Sequence, residues 1–291
     1  LYYINNMIIK APAKINVGLR ILNKRSDGYH NLETIFYPVR LFDELDIKID
    51  KSNTGTNSII IKTEKHSAPL NKNNTCFKAV KSFFKTFRIK DNYRMEILLR
   101  KNIPIGGGLG GGSSDAGAVI RYLVKYFNLN VTDVREKLIQ CALEVGSDVP
   151  FFLIQKPCYA SGKGENLHLL SNFILNYEIL LVNPNQYVST KMAYEGLGIP
   201  DNYTVQTVLN NVTTFNPHQA ELFINDFERV IFLKYPILKS VKESLYEKGA
   251  VFSSMSGSGA VIYGLFKKKD SKKLNSAVSD FRKLGYFTAV A

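Results

Sequence analysis

Between residues 103 and 119 the chain reads Ile-Pro-Ile-Gly-Gly-Gly-Leu-Gly-Gly-Gly-Ser-Ser-Asp-Ala-Gly-Ala-Val, with glycine at 106, 107, 108, 110, 111 and 112. A packed interior excludes such a run, because glycine has no side chain to bury and loses the most backbone freedom on folding. Its use is to bring bare N–H groups close to a ligand. Ser113, Ser114 and Asp115 read as a helix start, and Ala116, Val119, Ile120, Leu123, Val124 and Phe127 follow as one helical stripe. A loop of amides ending on a helix N-terminus is a phosphate-binding arrangement. It is not a Walker loop, since no Gly-Lys-Ser/Thr follows the glycines. A literal Gly-x-Gly-x-x-Gly lies at Gly106, Gly108 and Gly111, but a dinucleotide fold needs a parallel strand after the helix, and here a second helix follows.

At 291 residues, 45% hydrophobic and 22% charged, the chain has room for two modest domains or one large one, with the composition of a soluble globular protein. No apolar run approaches the ~20 residues that span a bilayer, which argues against a membrane partner. Asn5, Asn6 and Lys10 interrupt the start before any signal-peptide core forms. Met7 is as plausible a start as Leu1, leaving residues 1–6 as an extension. Cys76, Cys141 and Cys158, like His30, His66, His168 and His218, are scattered without metal or disulfide spacing, and an odd cysteine set favours a reducing cytoplasm. The formal charge of +13 is dispersed among Asn, Ser and Asp, densest from Lys267 to Lys273, and reads as a solvated basic surface rather than a nucleic-acid footprint.

Residues 7–22 alternate as a strand, with Ile15, Val17, Leu19 and Ile21 on one face and Lys14, Asn16, Gly18 and Arg20 on the other. The shared direction of Lys14 and Asn16 fits either a polar site beside a buried sheet or a wet face. The turn Asp27-Gly28 carries Tyr29 and His30, for which a ligand and simple packing are both sufficient reasons. Further strands are expected at 33–41, 45–49, 58–62 and 94–100, and a helix at 74–87. A second helix at 131–145 has Asp133 and Glu136 as a capping pair and Gly146 as its stop. Asp148 then stands between that helix end and Pro150-Phe151-Phe152, a poorly solvated place where the helix C-terminus raises a carboxyl pKa, which points to function. Residues 156–168 read as a crossing to a second domain. There, strands are expected at 177–182, 261–266 and 286–290, helices at 219–233 and 236–248, and a small-residue loop at 253–260. A last helix carries Leu274, Ala277, Val278, Phe281 and Leu284.

The distant pieces combine. Pro104-x-x-x-Gly108-Leu-Gly-x-x-Ser113-Ser, with Lys14 upstream, Asp148 downstream and Gly257-Ser-Gly259 near the end, resembles the GHMP small-molecule kinases. The family pattern is Pro-x-x-x-Gly-Leu-Gly-Ser-Ser-Ala. This chain departs from it with Gly111 and Gly112 before the serine pair and Asp115 after it. That variant, with the 25–30 turn, the 145–152 stretch and the 254–260 loop in the same order, is similar to the branch acting on a cytidine-diphosphate-linked methylerythritol. The resemblance covers nearly the whole chain and implies an α+β fold of two domains. Residues 1–164 would be like domain 2 of ribosomal protein S5, and 165–291 ferredoxin-like, with the substrates in the cleft between them. It further implies ATP with Mg2+ as co-substrate, no tightly bound cofactor and no nucleic acid. The enzyme would be cytoplasmic, a monomer or homodimer, serving the non-mevalonate route to isoprenoids.

By the same resemblance Pro104, Ile105, Gly106, Gly107, Gly108, Leu109, Gly110, Gly111, Gly112, Ser113 and Ser114 wrap the ATP phosphates, through glycine amides and the two hydroxyls. Asp148 takes the proton of the attacking hydroxyl, and Lys14 beside it offsets charge on the moving phosphoryl group. Asn16, Tyr29 and His30 lie near the acceptor, with the Tyr29 ring on the cytosine. Thr190 and Tyr194 also meet the base, a stacked base being worth ~1–3 kcal/mol; for Tyr194, ordinary helix packing is the alternative. The adenine pocket falls near residues 74–78, and metal ligands stay open. The aromatic turn counts against homoserine, mevalonate or a sugar as acceptor.

Overall fold

The computed structural model describes residues 8–52, 55–64 and 68–291; Met7 and His66 lie outside them. The chain packs as two units that interleave along the sequence. The first takes the chain up to Ala13, then Phe42–Ile105 and Gly110–Gln155; the second takes Lys14–Leu41, Gly106–Leu109 and Lys156–Ala291. The chain therefore passes between units within β1 (Ile9–Lys24), within β2 (His30–Lys51) and twice around the glycine loop.

In the first unit β2 pairs antiparallel with β4 (Tyr93–Arg100), which pairs in parallel with β3 (Ser58–Thr63). Strict alternation on β4 buries Tyr93, Met95, Ile97 and Leu99, and register sets Leu45 opposite Leu99 and Ile47 opposite Ile97. Against that face lie α1 (Thr75–Thr86), α2 (Gly111–Tyr126) and α3 (Arg135–Val145), with α4 (Val149–Ile154) on α2. The Asn74 side chain caps α1, accepting from the Cys76 amide at 2.8 Å, and turns Cys76, Val80, Phe83 and Phe84 inward. Gly117 lets α2 and α4 close, since a Cβ there would come within 2.7 Å of Phe152 Cβ.

Three expectations change here. The strands expected at 33–41 and 45–49 are one strand, because the break in alternation is Asp43, a buried carboxylate paired inside the unit. The helix start expected at Ser113–Asp115 lies earlier. Gly110, at φ +71°, precedes α2, so Ser114 and Asp115 are buried inside the helix and cap nothing. Asp133 and Glu136 do not cap α3 either; the Asn130 side chain accepts from the Thr132 amide at 3.1 Å and turns the chain first.

In the second unit, residues expected to cross between domains form a hairpin, β5 (Cys158–Gly162) and β6 (Asn166–Leu169), with β5 antiparallel to Leu32–Phe36 of β2. Then come β7 (Glu178–Asn183), α5 (Thr190–Leu197), a 3-10 turn at Pro217–Phe223, α6 (Glu228–Lys234) and α7 (Pro236–Glu247). They are followed by β8 (Phe252–Met255), β9 (Ile262–Phe266), α8 (Ser271–Lys283) and β10 (Phe287–Val290). The antiparallel sheet runs β10-β7-β9-β8, which with this β-α-β-β-α-β order is the ferredoxin-like arrangement. Its core joins Leu180, Val182, Ile262 and Phe266 to helix residues such as Ile231, Leu245 and Phe281, and to Leu19, Ile21 and Leu32. The helix expected at 219–233 is broken, its first part a 3-10 turn kinked at Gln219. The loop expected at 253–260 begins as strand β8. α5, expected only through the helix-packing alternative for Tyr194, is capped by Ser189, whose side chain accepts from the Met192 amide at 3.4 Å.

Candidate active site

On β1 both faces are buried from Ala11 to Leu19, so the polar face carrying Lys14 and Asn16 is not wet. Lys14 is 4% and Asn16 2% exposed. Two such groups must satisfy each other. Lys14 Nζ donates to Asn16 Oδ1 at 2.5 Å and lies 5.1 Å from the centroid of the Phe36 ring, while Asn16 Nδ2 donates to Thr34 Oγ1 at 2.9 Å. The Asn16 carbonyl accepts from the buried Tyr263 hydroxyl at 3.1 Å. The result is an ammonium held at a set place on a rigid strand.

The second unit also holds the middle of the glycine loop. Leu109 O accepts from the Lys14 amide at 3.0 Å, Gly107 O from the Val261 amide at 3.1 Å, and Gly108 O from Ser256 Oγ at 3.0 Å. Gly108 has φ +76°, and a Cβ there would stand 1.9 Å from Ser256 O, so only glycine fits. The 253–260 stretch thus has a structural use: it is the wall against which residues 106–109 lie. Tyr187 packs on the other end, its ring carbons 2.5 Å from where a Gly106 Cβ would be.

In the first unit lie the rest of that loop and Asp148. Gly112 is exposed, Gly111 and Ser113 half-buried, all in the first turn of α2, where orphan amides collect. Ser114 differs. It is fully buried and its hydroxyl donates to Pro12 O at 2.7 Å. Asp148 is half-buried at the head of α4, between the end of one helix and the start of another, whereas expectation counted only the first.

The residues expected on the acceptor side all fall in the second unit. Asp27 shapes the turn by accepting the Tyr29 amide at 3.1 Å, and Gly28 takes φ +83°. Tyr29 is 60% exposed, with Lys163 Nζ 4.6 Å from its ring centroid. His30 and Tyr194 come together as a stack, centroids 5.0 Å apart and planes 17° apart, with Tyr194 edge-on to Phe227. Burial, and then Lys24, lowers the His30 pKa, so the stacked imidazole favours its neutral form. Thr190 Oγ1 bonds Ser258 Oγ at 2.9 Å, tying the start of α5 to the 256–261 loop.

Sequence reasoning missed one cluster outright. Lys101 donates to Asp115 Oδ2 at 2.7 Å and to Asp43 in the first unit. Asp115 had a faint signal as a departure from the family pattern, but Asp43 had none. Among the described residues no group of three or more His, Cys, Asp or Glu could hold a metal ion, and no helix is long and apolar enough to cross a membrane. The three cysteines are free and buried.

Comparison with known proteins gives the arrangement its relatives. Residues 74–156 match the GHMP kinases N terminal domain and residues 209–283 the GHMP kinases C terminal domain. The 4-diphosphocytidyl-2-C-methyl-D-erythritol kinase of Bacteroides fragilis is 36% identical over 91% of this chain and 93% of its own length. That of Azobacteroides pseudotrichonymphae is 39% identical over 90% and 94%. A crystal structure of a 4-(cytidine 5'-diphospho)-2C-methyl-D-erythritol kinase superposes with a TM-score of 0.76 at 28% identity, covering 98% of each chain. The Methanococcus jannaschii mevalonate kinase, with a TM-score of 0.70 at 15% identity, shares the fold. The chain therefore belongs to the GHMP kinase family, in the group of the 4-diphosphocytidyl-2-C-methyl-D-erythritol kinases.

Proposed function

We propose that this chain transfers the γ-phosphoryl group of ATP to the 2-hydroxyl of 4-diphosphocytidyl-2-C-methyl-D-erythritol, a step of the non-mevalonate route to isoprenoid precursors. The observation that carries this reading is the identity of 36% and 39% to kinases of that name over nine-tenths of the chain. In the reaction a bond forms between the acceptor oxygen and the γ-phosphorus, and the bond to the β,γ-bridging oxygen breaks. The hydroxyl proton passes to Asp148, which acts as base. Lys14 offsets the negative charge spread over the transferring group, and its pairing with Asn16 supports that role, because a pre-set ammonium needs no reorganisation as charge develops.

The phosphates of ATP lie along residues 104–114 in this reading. The first turn of α2 supports it, with exposed Gly112 and half-buried Gly111 and Ser113 as the contributing residues. Ser114, with its hydroxyl on Pro12 O, acts by holding the helix start in place. Mg2+ would arrive as part of the ATP complex and offset charge on the phosphates. The cytosine stacks on Tyr29, whose exposed ring supports the assignment, with Asn16, His30, Thr190 and the Tyr194 that stacks on His30 as further acceptor-side residues. In the same reading the family domains divide at residue 164, and the enzyme works in the cytoplasm as a monomer or homodimer.

The test is turnover of ATP with the cytidine-diphosphate-linked methylerythritol against homoserine and mevalonate. Activity confined to the first is expected. Equal or better turnover of either competitor would overturn the substrate assignment while leaving the kinase family intact.

A further inference from the structure

Three charged side chains of the first unit are buried together beneath the start of α2, and the transfer just described uses none of them. The side chains of Lys101, Asp43 and Asp115 are 6%, 0% and 3% exposed. Lys101 Nζ donates to Asp115 Oδ2 at 2.7 Å and to Asp43 Oδ2. The other Asp43 oxygen accepts from the Asn102 amide at 2.6 Å and the Ile103 amide at 2.8 Å, the two residues leading from β4 into the loop. A Cβ on Gly111 would lie 3.2 Å from Lys101 Nζ, so the ammonium runs directly beneath the first residue of α2. One cation therefore ties the entrance of the loop, through Asp43, to the helix at its exit, through Asp115.

Stability alone does not account for this arrangement. Desolvating three charges is expensive, and replacing a buried ionic cluster with apolar side chains of similar size is often neutral or stabilising. Asp115 Oδ1 adds to the cost, being buried without a hydrogen-bond partner among the described residues. Burial pushes the Asp115 pKa up to about 7, while Asp115 and Asp43 outweigh burial and hold the Lys101 ammonium above its ordinary value. What the cluster supplies in return is position: two oxygens aimed at consecutive amides and one ammonium joining two chain segments.

We infer that Asp43, Lys101 and Asp115 are positioning residues that hold the two ends of the phosphate loop in register, with Asp43 setting its entrance and Asp115 its exit. This rests on the reading of residues 104–114 as the ATP-phosphate loop. The residues touch no reacting atom and act through the backbone of 102–103 and the first turns of α2.

Two variants test it. Asp43→Ala removes the clamp on the Asn102 and Ile103 amides. The paired change Lys101→Met with Asp115→Leu cuts the tie between loop ends without leaving an uncompensated ammonium; it leaves Asp43 buried on two amides alone, so a lower melting temperature is expected and the ATP Kd is read on the folded fraction. Both are expected to weaken ATP binding on the order of tenfold, since a loop no longer held in its bound conformation must be ordered when the phosphates bind. The KM for the alcohol substrate should stay near that of the parent. A structural role alone would lower the melting temperature and the active fraction and leave the ATP Kd of folded protein unchanged, which overturns the inference. Amide hydrogen exchange over residues 102–114 without ATP separates it from the reading on which it rests. Faster exchange in the paired variant supports the tie even if the parent were to bind no ATP, an outcome that sinks only the loop's assignment. Unchanged exchange in that variant overturns the tie itself.

Discussion

Asp148 sits at the junction of two helices, half-exposed, and is the base of the transfer proposed above. Asp148→Asn keeps the size and removes the proton acceptor. Turnover should fall by about 10²–10⁴ while the melting temperature and ATP affinity stay near the parent's. Steady-state kinetics beside calorimetry checks this, and near-normal kcat would end the assignment. Asp115 makes a prediction of another kind. Its folded-state pKa is raised to about 7 by burial, so the folded chain holds this proton more tightly than the unfolded chain does. That contribution is complete below the unfolded carboxyl value near 3.8 and is lost as pH rises towards about 7. Asp115→Asn, neutral throughout, should gain on the parent across this window. Melting curves at stepped pH test it, and a constant difference between variant and parent would rule it out.

Among elements, the glycine loop is where backbone geometry decides most. Gly108 and Gly112 lie four residues apart but face different demands. At Gly108 the φ of +76° and the Ser256 carbonyl 1.9 Å from a would-be Cβ leave alanine no space, and the obstacle is backbone that cannot swing aside. Gly108→Ala should therefore break the Ser256–Gly108 hydrogen bond, lower the melting temperature and abolish ATP binding. At Gly112 the nearest atom is Thr75 Oγ1, at 3.5 Å, and the residue is helical. Gly112→Ala should leave stability unchanged or raise it by up to ~1 kcal/mol, the usual gain of alanine over glycine within a helix. Denaturant titration of the two variants side by side decides the matter; equal losses would mean that neither conformation nor space sets the glycine requirement.

At the scale of the whole molecule, packing does not follow chain order. The core of the second unit includes Leu19, Ile21 and Leu32, contributed from far upstream of its sheet. A fragment of residues 165–291 would carry all four strands β7 to β10 yet lack those side chains. It should fold poorly, binding a hydrophobic dye and melting without a sharp transition, as compact states with loose packing do. A cooperative melt of that fragment close to the parent's would show that the upstream residues are dispensable.

Periodicity in the sequence was enough for β4, α1, α8 and the stripe of α2, because alternation and helical spacing report burial within a few residues, and for the presence of β1 though not for its burial. The glycine run and its ordered partners were enough for the family and the α+β class. Local pattern failed where a partner was remote. The strands expected at 33–41 and 45–49 are one strand through Asp43, whose partner Lys101 lies 58 residues on. Ser114, expected at the helix start, finds its partner in the carbonyl of Pro12, 102 residues back. Lys14 and Asn16 were ambiguous between wet and buried until β1 was covered on both faces. Backbone preference and hydrophobic period are properties of neighbouring residues, so a sequence by itself determines them. Where a buried polar group finds its partner depends on which distant segments meet, and only the tertiary structure decided that.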